Sequence, residues 1–267
     1  MTRRIWDEHR HDAARGIFVR RRSGPDDAPH LVWLHGLGES GLCFESIALL
    51  PPLDRFTHWI LDLPGYGRAP WPAMPPGIDD TTARVIDWLG ELGRPAVLLG
   101  HSLGGVIALR VAQGAPERVA ALIDVEGNKS IGDCTFSGQA VDVELDEFVG
   151  VRFEAMLAHI YRASTDEAAL RGYYASLRLC DRRTFHREAN ELVALSRGES
   201  LAAELAALPM PATYIAGNPG GACPRSRALL AATTARVIEI APAGHWPFID
   251  QPRAFAGAAW EAAQRED

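Results

Sequence analysis

Short apolar runs recur along the chain and predict the strands of a buried sheet. Several runs are continuous rather than alternating, which is typical of strands in a parallel sheet that is covered on both faces. Amphipathic helical patterns separate the runs, as over residues 81–92, where Val85, Trp88 and Leu89 share one side. Strands that alternate with helices predict an α/β fold with a mostly parallel central sheet and helices on both faces. The runs occupy residues 16–20, 30–34, 57–62, 96–99, 119–125, 211–217 and 235–240.

Residues 128–206 interrupt this alternation. They contain no apolar strand run and are richer in arginine and glutamate, with helical patterns over 146–162, 166–178 and 182–197. We therefore predict an α/β core formed by residues 1–127 and 207–267, with a helical lid inserted at residues 128–206. Several large lid side chains are candidates either to line a pocket or to pack the lid on the core. They are Phe136, Phe148, Phe153, Met156, Tyr161, Tyr173 and Tyr174.

Composition narrows the class of protein. At 267 residues the chain can bury a full core, and its net charge of −7 disfavours binding to nucleic acid. It holds no run of about 18 apolar residues, so we expect no membrane span. Residues 1–8 lack an apolar signal core, which favours a cytoplasmic location. Cys43, Cys134, Cys180 and Cys223 have no C-x-x-C spacing, so free thiols are favoured over disulfides or a zinc site.

One stretch carries candidate chemistry, namely the pattern G-x-S-x-G over residues 100–104. It follows an apolar run and precedes a helical pattern, and strand, tight turn and helix form the context in which this pattern presents a nucleophilic serine. We expect the turn to hold Ser102 in a strained backbone conformation, with Gly100 and Gly104 relieving collisions across the bend. The N-terminus of the following helix would favour negative charge beside Ser102.

Together with three further motifs, this stretch resembles the α/β-hydrolase family, in its serine-nucleophile branch of esterases and lipases. The resemblance covers nearly the whole chain outside the lid and implies the α/β-hydrolase fold. It also implies a catalytic base at His245, which follows the last predicted strand, and an oxyanion hole made by the backbone N–H groups of Leu37 and Leu103. The matching motifs are His35-Gly36-Leu37-Gly38, Asp62-Leu63-Pro64-Gly65-Tyr66-Gly67, Gly100 to Gly105, and Gly244-His245-Trp246-Pro247.

The acidic member of the triad departs from the commoner family pattern. Most relatives carry an aspartate in the loop that here spans residues 217–223, which contains no carboxylate. Some relatives supply the acid one strand earlier, at the position of Glu126, which we predict to be the acid. Asp124 lies on the same face of the strand and is the alternative. Glu126 could otherwise hold the start of the lid, and Asp250 is expected to cap the closing helix.

The predicted function is hydrolysis of a carboxylic ester through an acyl-enzyme. A thioesterase, a lactonase or a carbon–carbon bond hydrolase would use the same triad, and acyl transfer to another acceptor is a further possibility. The missing aspartate also allows a ligand-binding relative with little turnover. We expect a small, partly apolar substrate in contact with Gly36 and Trp246, structural roles for His35 and His101, and neither a cofactor nor a metal. The pattern gives no oligomeric state.

Overall fold

The central feature of the fold is one eight-stranded sheet. The computed structural model describes residues 6–264, so the first five residues, where no signal core is predicted, and the last three lie outside the described residues. The strand order is β1-β2-β4-β3-β5-β6-β7-β8. The strands are β1 (Glu8–Asp12), β2 (Ile17–Arg22), β3 (His30–Leu34), β4 (Thr57–Asp62), β5 (Ala96–His101), β6 (Val119–Val125), β7 (Ala212–Gly220) and β8 (Arg236–Gly244).

The predicted mostly parallel sheet is confirmed. Strands β3 to β8 are joined by parallel pairing, and only β1 and β2 pair antiparallel, with each other and with β4. Every residue of β5 is buried, as expected for a strand covered on both faces. Because the strands are parallel, the loops after β3, β5, β6 and β8 meet at one edge of the sheet, where ligands bind in open α/β folds.

Helices follow the strands in the expected alternation. They are α1 (Ile78–Leu89), α2 (Leu103–Gly114), α3 (Leu145–Glu147), α4 (Phe153–Ala163), α5 (Ala168–Leu177), α6 (Arg182–Arg197), α7 (Leu201–Ala206), α8 (Pro224–Ala231), α9 (Pro247–Asp250) and α10 (Pro252–Ala263), with a π-helical turn at Phe148–Arg152. Helix α1 begins at Ile78, three residues before the predicted helix. None of the helices within residues 6–264 is long and apolar enough to cross a membrane.

The segment between β6 and β7 carries α3 to α7, and an aromatic cluster holds several of these helices together. The ring of Phe148 lies 5.8 Å from that of Phe153 and stacks at 5.7 Å on that of Phe185, which is part of α6. All three side chains are fully or almost fully buried. Phe148 and Phe153 therefore pack between helices, whereas Phe136 and Tyr173 line the cavity at Ser102 described below.

A buried carboxyl group attaches α6 to the core. The Tyr66 hydroxyl donates to Glu188 Oε2 at 2.5 Å, and the Thr81 hydroxyl donates to Oε1 at 2.8 Å. Tyr66 belongs to the loop after β4 and Thr81 to α1. Burial raises the pKa of Glu188 from 4.5 to about 7, against the opposing effect of these two hydrogen bonds. The folded protein therefore holds this proton more tightly than the unfolded chain does.

This proton should give the stability of the protein a distinct pH dependence. As the pH rises from about 4.5 to about 7, the unfolded chain loses the proton of Glu188 first, so the free energy of unfolding falls. The total fall from this group is on the order of 3 kcal/mol, and the contribution is constant below and above that window. Glu188→Gln should remove this slope in urea titrations at pH 5, 6, 7 and 8.

The exposed Glu117 provides the matched control, because its side chain is 70% exposed. Glu117→Gln should keep the slope of the parent protein. Parallel curves for Glu188→Gln and the parent protein between pH 5 and pH 7 would show that Glu188 is already ionised in the folded state.

Candidate active site

Ser102 lies in a strained turn at the end of β5, as the motif predicts. Its backbone has φ 52° and ψ −119°, which side-chain-bearing residues rarely adopt, and α2 begins at the next residue. The chain on either side is packed closely enough to require glycine. A Cβ on Gly100 would lie 2.1 Å from the carbonyl oxygen of Gly104, and one on Gly104 would lie 2.2 Å from that of Leu34. The turn therefore holds the serine at the edge of the sheet where the loops meet.

A small cavity brings most of the predicted site residues together. Its volume is about 20 Å³, and Ser102 and His245 line it together with Gly36, Leu37 and Trp246. Within the described chain, the Ser102 hydroxyl and the His245 ring share this space without a hydrogen bond between them. Catalytic hydrogen bonds are often long without substrate and shorten when it binds. We call this cavity the catalytic chamber.

Glu126 lies on the other side of the His245 ring. Its Oε2 is 3.4 Å from His245 Nδ1, and its side chain is 1% exposed compared with 24% for the histidine. Its Oε1 accepts a hydrogen bond of 2.7 Å from the backbone N–H of Gly217. Glu126 therefore contacts the Nδ1 edge of the imidazole, which a triad acid must hold, and its second oxygen is fixed by Gly217 near the end of β7.

Residues 217–223 were expected to form a loop, but 217–220 continue β7, because they pair with β8. The turn that follows makes room for Glu126. A Cβ on Gly221 would lie 2.2 Å from Glu126 Oε1, so a larger residue there would displace the carboxylate. The backbone of Glu126 has φ 54°, a second strained residue at the same edge of the sheet. The small residues of the turn after β7 therefore leave space for the carboxylate of Glu126, which follows the neighbouring strand β6.

Asp124, the alternative acid, is engaged elsewhere. Its Oδ2 lies 2.7 Å from Lys129 Nζ, and both side chains are almost completely buried. Its Oδ1 accepts a hydrogen bond from the backbone N–H of Gly127 at 3.0 Å. The lysine also contacts the ring of Tyr214, at 4.8 Å from its centre. Asp124 therefore balances a buried ammonium group beneath the site, and the geometry favours Glu126.

The two backbone N–H groups predicted as oxyanion donors are free to bind a ligand. Leu103 is the first residue of α2, where the helix offers no carbonyl partner for the N–H group. Among the hydrogen bonds of residues 6–264, neither the N–H of Leu37 nor that of Leu103 finds an acceptor. A Cβ on Gly36 would lie 3.1 Å from the Cβ of Ser102, so the loop carrying Leu37 passes directly beside the serine.

Glu39, which no sequence motif pointed to, joins three loops of the candidate site. Its Oε2 accepts from the backbone N–H of Gly36 at 2.7 Å and from His101 Nδ1 at 2.8 Å. Its Oε1 accepts from the indole N–H of Trp246 at 2.6 Å. One buried carboxylate therefore fixes the loop of Leu37, the residue before Ser102 and the residue after His245. The only signal in the sequence is an acidic residue that closely follows a glycine-rich turn.

The hydrogen bonds of His101 and Glu39 determine the charge of each side chain. The second ring nitrogen of His101 lies 2.8 Å from the carbonyl oxygen of His245, so both nitrogens face acceptors and both carry hydrogen. Burial acts to lower the pKa of His101, but the charge of Glu39 raises it above 6.5 overall. Burial acts to raise the pKa of Glu39, but His101, Trp246 and the Gly36 N–H lower it to about 2. A buried ion pair thus lies under the chamber and holds the His245 backbone.

His35 has the predicted structural role, whereas the expectation for Asp250 is wrong. His35 Nδ1 donates to the carbonyl oxygen of Gly36 and its Nε2 accepts from the N–H of Leu63 at 3.0 Å, which links two loops. Asp250 precedes α10 but does not cap it. Its Oδ2 instead accepts from the N–H of Gly244 at 2.8 Å, because the chain folds back to the residue before His245.

Three larger cavities adjoin the catalytic chamber. The smallest, of about 130 Å³, shares Tyr173 and Trp246 with it. One of the other two, of about 560 Å³, lies on the side of Glu126 and His245, and the second, of about 340 Å³, lies among the helices near Met156. Phe136 lines these two cavities and the chamber. Its ring lies 4.7 Å from that of Tyr173 and 5.9 Å from that of Trp246. These three aromatic side chains therefore enclose the space over Ser102.

The chain is similar to known proteins over most of its length. Residues 31–259 match the model of the "Alpha/beta hydrolase family". The chain is 30% identical over 249 residues to a pimeloyl-[acyl-carrier protein] methyl ester esterase of Edwardsiella ictaluri, covering 87% of this chain and 92% of that protein. It is 28% identical to the protein of the same name from Klebsiella pneumoniae, covering 85% and 90% of the two chains.

Solved structures of distant sequence share the fold. The enol-lactonase from Burkholderia xenovorans superimposes with a TM-score of 0.74 at 20% identity, covering 92% of this chain and 96% of that one. The structural similarity and the family match together confirm the predicted fold class, in which a mostly parallel sheet positions the turn around Ser102.

Proposed function

Since the chain belongs to the alpha/beta hydrolase family, we propose that it is a serine hydrolase that cleaves a carboxylic ester through an acyl-enzyme intermediate. The observation that carries the proposal is the strained turn at Ser102, which lines one chamber with His245 while Glu126 approaches the far side of the imidazole. The esterase names of the relatives that align with most of the chain add support.

In the proposed acylation step, the Ser102 hydroxyl attacks the ester carbonyl while His245 Nε2 takes its proton. The ionised Glu126 accepts the Nδ1 hydrogen of His245, which selects the required tautomer and stabilises the imidazolium. The N–H groups of Leu37 and Leu103 stabilise the oxygen that becomes negative. When the tetrahedral intermediate collapses, the carbon–oxygen bond to the alcohol breaks and His245 returns the proton to the departing oxygen.

Deacylation repeats the same steps with water. His245 takes a proton from a water molecule that attacks the acyl carbon, and the serine oxygen then leaves with that proton. The buried pair of Glu39 and His101 supports both steps, since it fixes the loops of Leu37 and His245. Neither step calls for a cofactor or a metal.

The segment of residues 128–206 is proposed to act as a lid over this site, with the core formed by residues 1–127 and 207–267. Phe136 and Tyr173 support this, because they come from that segment and enclose the chamber beside Trp246.

The small chamber has room for about one water molecule, so a substrate needs the adjoining cavities. We propose a small, partly apolar ester that contacts Gly36 and Trp246. We also propose a reducing, cytoplasmic compartment, which the free thiols of all four cysteines support.

Pre-steady-state kinetics with a short activated ester test this function. We expect a burst of alcohol equal to the concentration of enzyme, followed by slower steady turnover, because the acyl-enzyme forms before it hydrolyses. Methyl esters, thioesters and lactones compared under the same conditions would identify the preferred bond. Added alcohols or amines would reveal acyl transfer as a new ester or amide product.

A protein that none of these substrates acylates would contradict the proposal. A fluorophosphonate probe then distinguishes a hydrolase of other substrates from a binding protein, since a competent triad labels Ser102 within minutes. Absent labelling together with tight binding of the same ligands would identify a binding protein with little turnover.

A further inference from the structure

Tyr173 lines the catalytic chamber and carries a buried hydroxyl. The side chain extends from α5, is 4% exposed, and lines the chamber together with Ser102 and His245. Its hydroxyl has no hydrogen-bond partner anywhere in residues 6–264. A buried hydroxyl without a partner costs free energy, and phenylalanine at this position would avoid that cost. The unused hydroxyl is therefore available to a partner that arrives with the substrate.

The neighbours of the hydroxyl indicate which substrate atom it meets. A Cβ built on Gly38 would lie 3.0 Å from the Tyr173 hydroxyl, so α5 packs directly against the loop that carries Leu37. Gly38 has φ 74°, and only glycine combines that conformation with this close approach. The phenol therefore packs beside the loop whose Leu37 N–H is the proposed donor to the carbonyl oxygen.

The phenol is a donor at any working pH. Burial raises the pKa of Tyr173 well above its ordinary value of 10, and the charge of the nearby Glu39 raises it further. The hydroxyl makes no hydrogen bond to Glu39, whose two oxygens accept from Gly36, His101 and Trp246. The hydroxyl thus keeps its hydrogen and has no competing acceptor in the protein.

We propose that Tyr173 is a third oxyanion donor, whose hydroxyl hydrogen-bonds to the oxygen that becomes negative when Ser102 attacks the ester. This inference rests on the proposed ester hydrolysis. The phenol transfers no proton, and the hydrogen of Ser102 still goes to His245. The hydrogen bond strengthens in the tetrahedral intermediate, because its acceptor then carries a full charge in a site that excludes water. Tyr173 is therefore a catalytic residue supplied by the helical segment.

Tyr173→Phe tests this role. We expect kcat/KM to fall by about 10–100-fold, mainly through kcat, for activated and alkyl esters alike. The affinity for a trifluoromethyl ketone should fall by a similar factor, because its carbon bonds to Ser102 Oγ and leaves a charged oxygen in the same position. The thermal midpoint should stay the same or rise, since the substitution removes an unpaired hydroxyl.

Tyr214→Phe is the matched control. The Tyr214 hydroxyl is likewise buried and without a partner in the described chain, but the residue lies in β7 against Lys129 and lines none of the four cavities. This variant should keep both kcat/KM and ketone affinity, so any general effect of losing a buried phenol hydroxyl is measured separately.

Three results would overturn the proposal in different ways. If the parent protein hydrolyses esters and Tyr173→Phe matches it in kcat/KM and ketone affinity, Tyr173 is not a donor and the esterase proposal stands. If the loss is confined to alkyl esters with poor leaving groups, the hydroxyl serves the departing oxygen rather than the oxyanion. If the parent protein neither hydrolyses esters nor binds the ketone, the proposed function fails and this role fails with it.

Discussion

Ser102→Ala is expected to lower kcat for ester hydrolysis by ~10⁵–10⁶-fold, because no other group can form the acyl-enzyme. Folding should be unaffected. The Ser102 side chain makes no hydrogen bond at the start of α2, so alanine removes no contact that stabilises the turn. The measurement is single-turnover hydrolysis of an activated ester, together with a thermal melt of both proteins.

Ser196 offers a matched control for removal of a buried serine hydroxyl. It lies in α6, is fully buried, and donates to the carbonyl oxygen of Leu192 at 2.8 Å. Ser196→Ala should cost some stability and leave kcat unchanged. Ser102→Ala protein that still releases a stoichiometric burst of alcohol would show that another residue is the nucleophile.

Glu126→Gln is expected to lower kcat by ~10³–10⁴-fold while the protein remains folded. The amide oxygen can still accept the hydrogen bond that Gly217 donates, so the end of β7 stays in place. The amide nitrogen, however, presents a donor to His245 Nδ1. That donor favours the tautomer with hydrogen on Nε2, which cannot accept the proton of Ser102. Steady-state kinetics of the variant measure the loss of kcat, and circular dichroism shows whether the protein remains folded.

Asp124 provides the comparison that distinguishes the two possible acids. Replacing Asp124 alone would leave the buried Lys129 ammonium group without a counter-charge. Both partners are therefore changed together, as Asp124→Asn with Lys129→Met. The double variant should retain kcat within about tenfold, since neither residue touches His245. A collapse of kcat in this variant, with near-normal turnover in Glu126→Gln, would reverse the assignment.

The parts of the site that depend on local pattern could be predicted from the sequence. The turn at Ser102 needs only a strand, two glycines and a helix within a few residues, and all of these are visible in the chain. His245 and Glu126 each follow a strand whose apolar run is recognisable. The strand order then brings the two ends together, because β6, β7 and β8 are neighbours.

Other elements depend on contacts between distant parts of the chain. Strand β1 has the sequence EHRHD, which shows no strand pattern, and it is extended only because it pairs with β2. Glu39 looks like a surface residue of a turn until His101 and Trp246 meet it across long separations in sequence. Asp250 was expected to act on the helix next to it, and its actual partner at Gly244 requires the chain to reverse direction.

A crystal structure of the protein after reaction with a fluorophosphonate would test the central claim most directly, namely that Ser102, His245 and Glu126 act as one unit. We predict a covalent bond from Ser102 Oγ to phosphorus and a phosphoryl oxygen within hydrogen-bond distance of the N–H groups of Leu37 and Leu103. His245 should lie between Ser102 and Glu126, in contact with both. An adduct on another residue, or an imidazole turned away from the phosphonylated serine, would contradict the account.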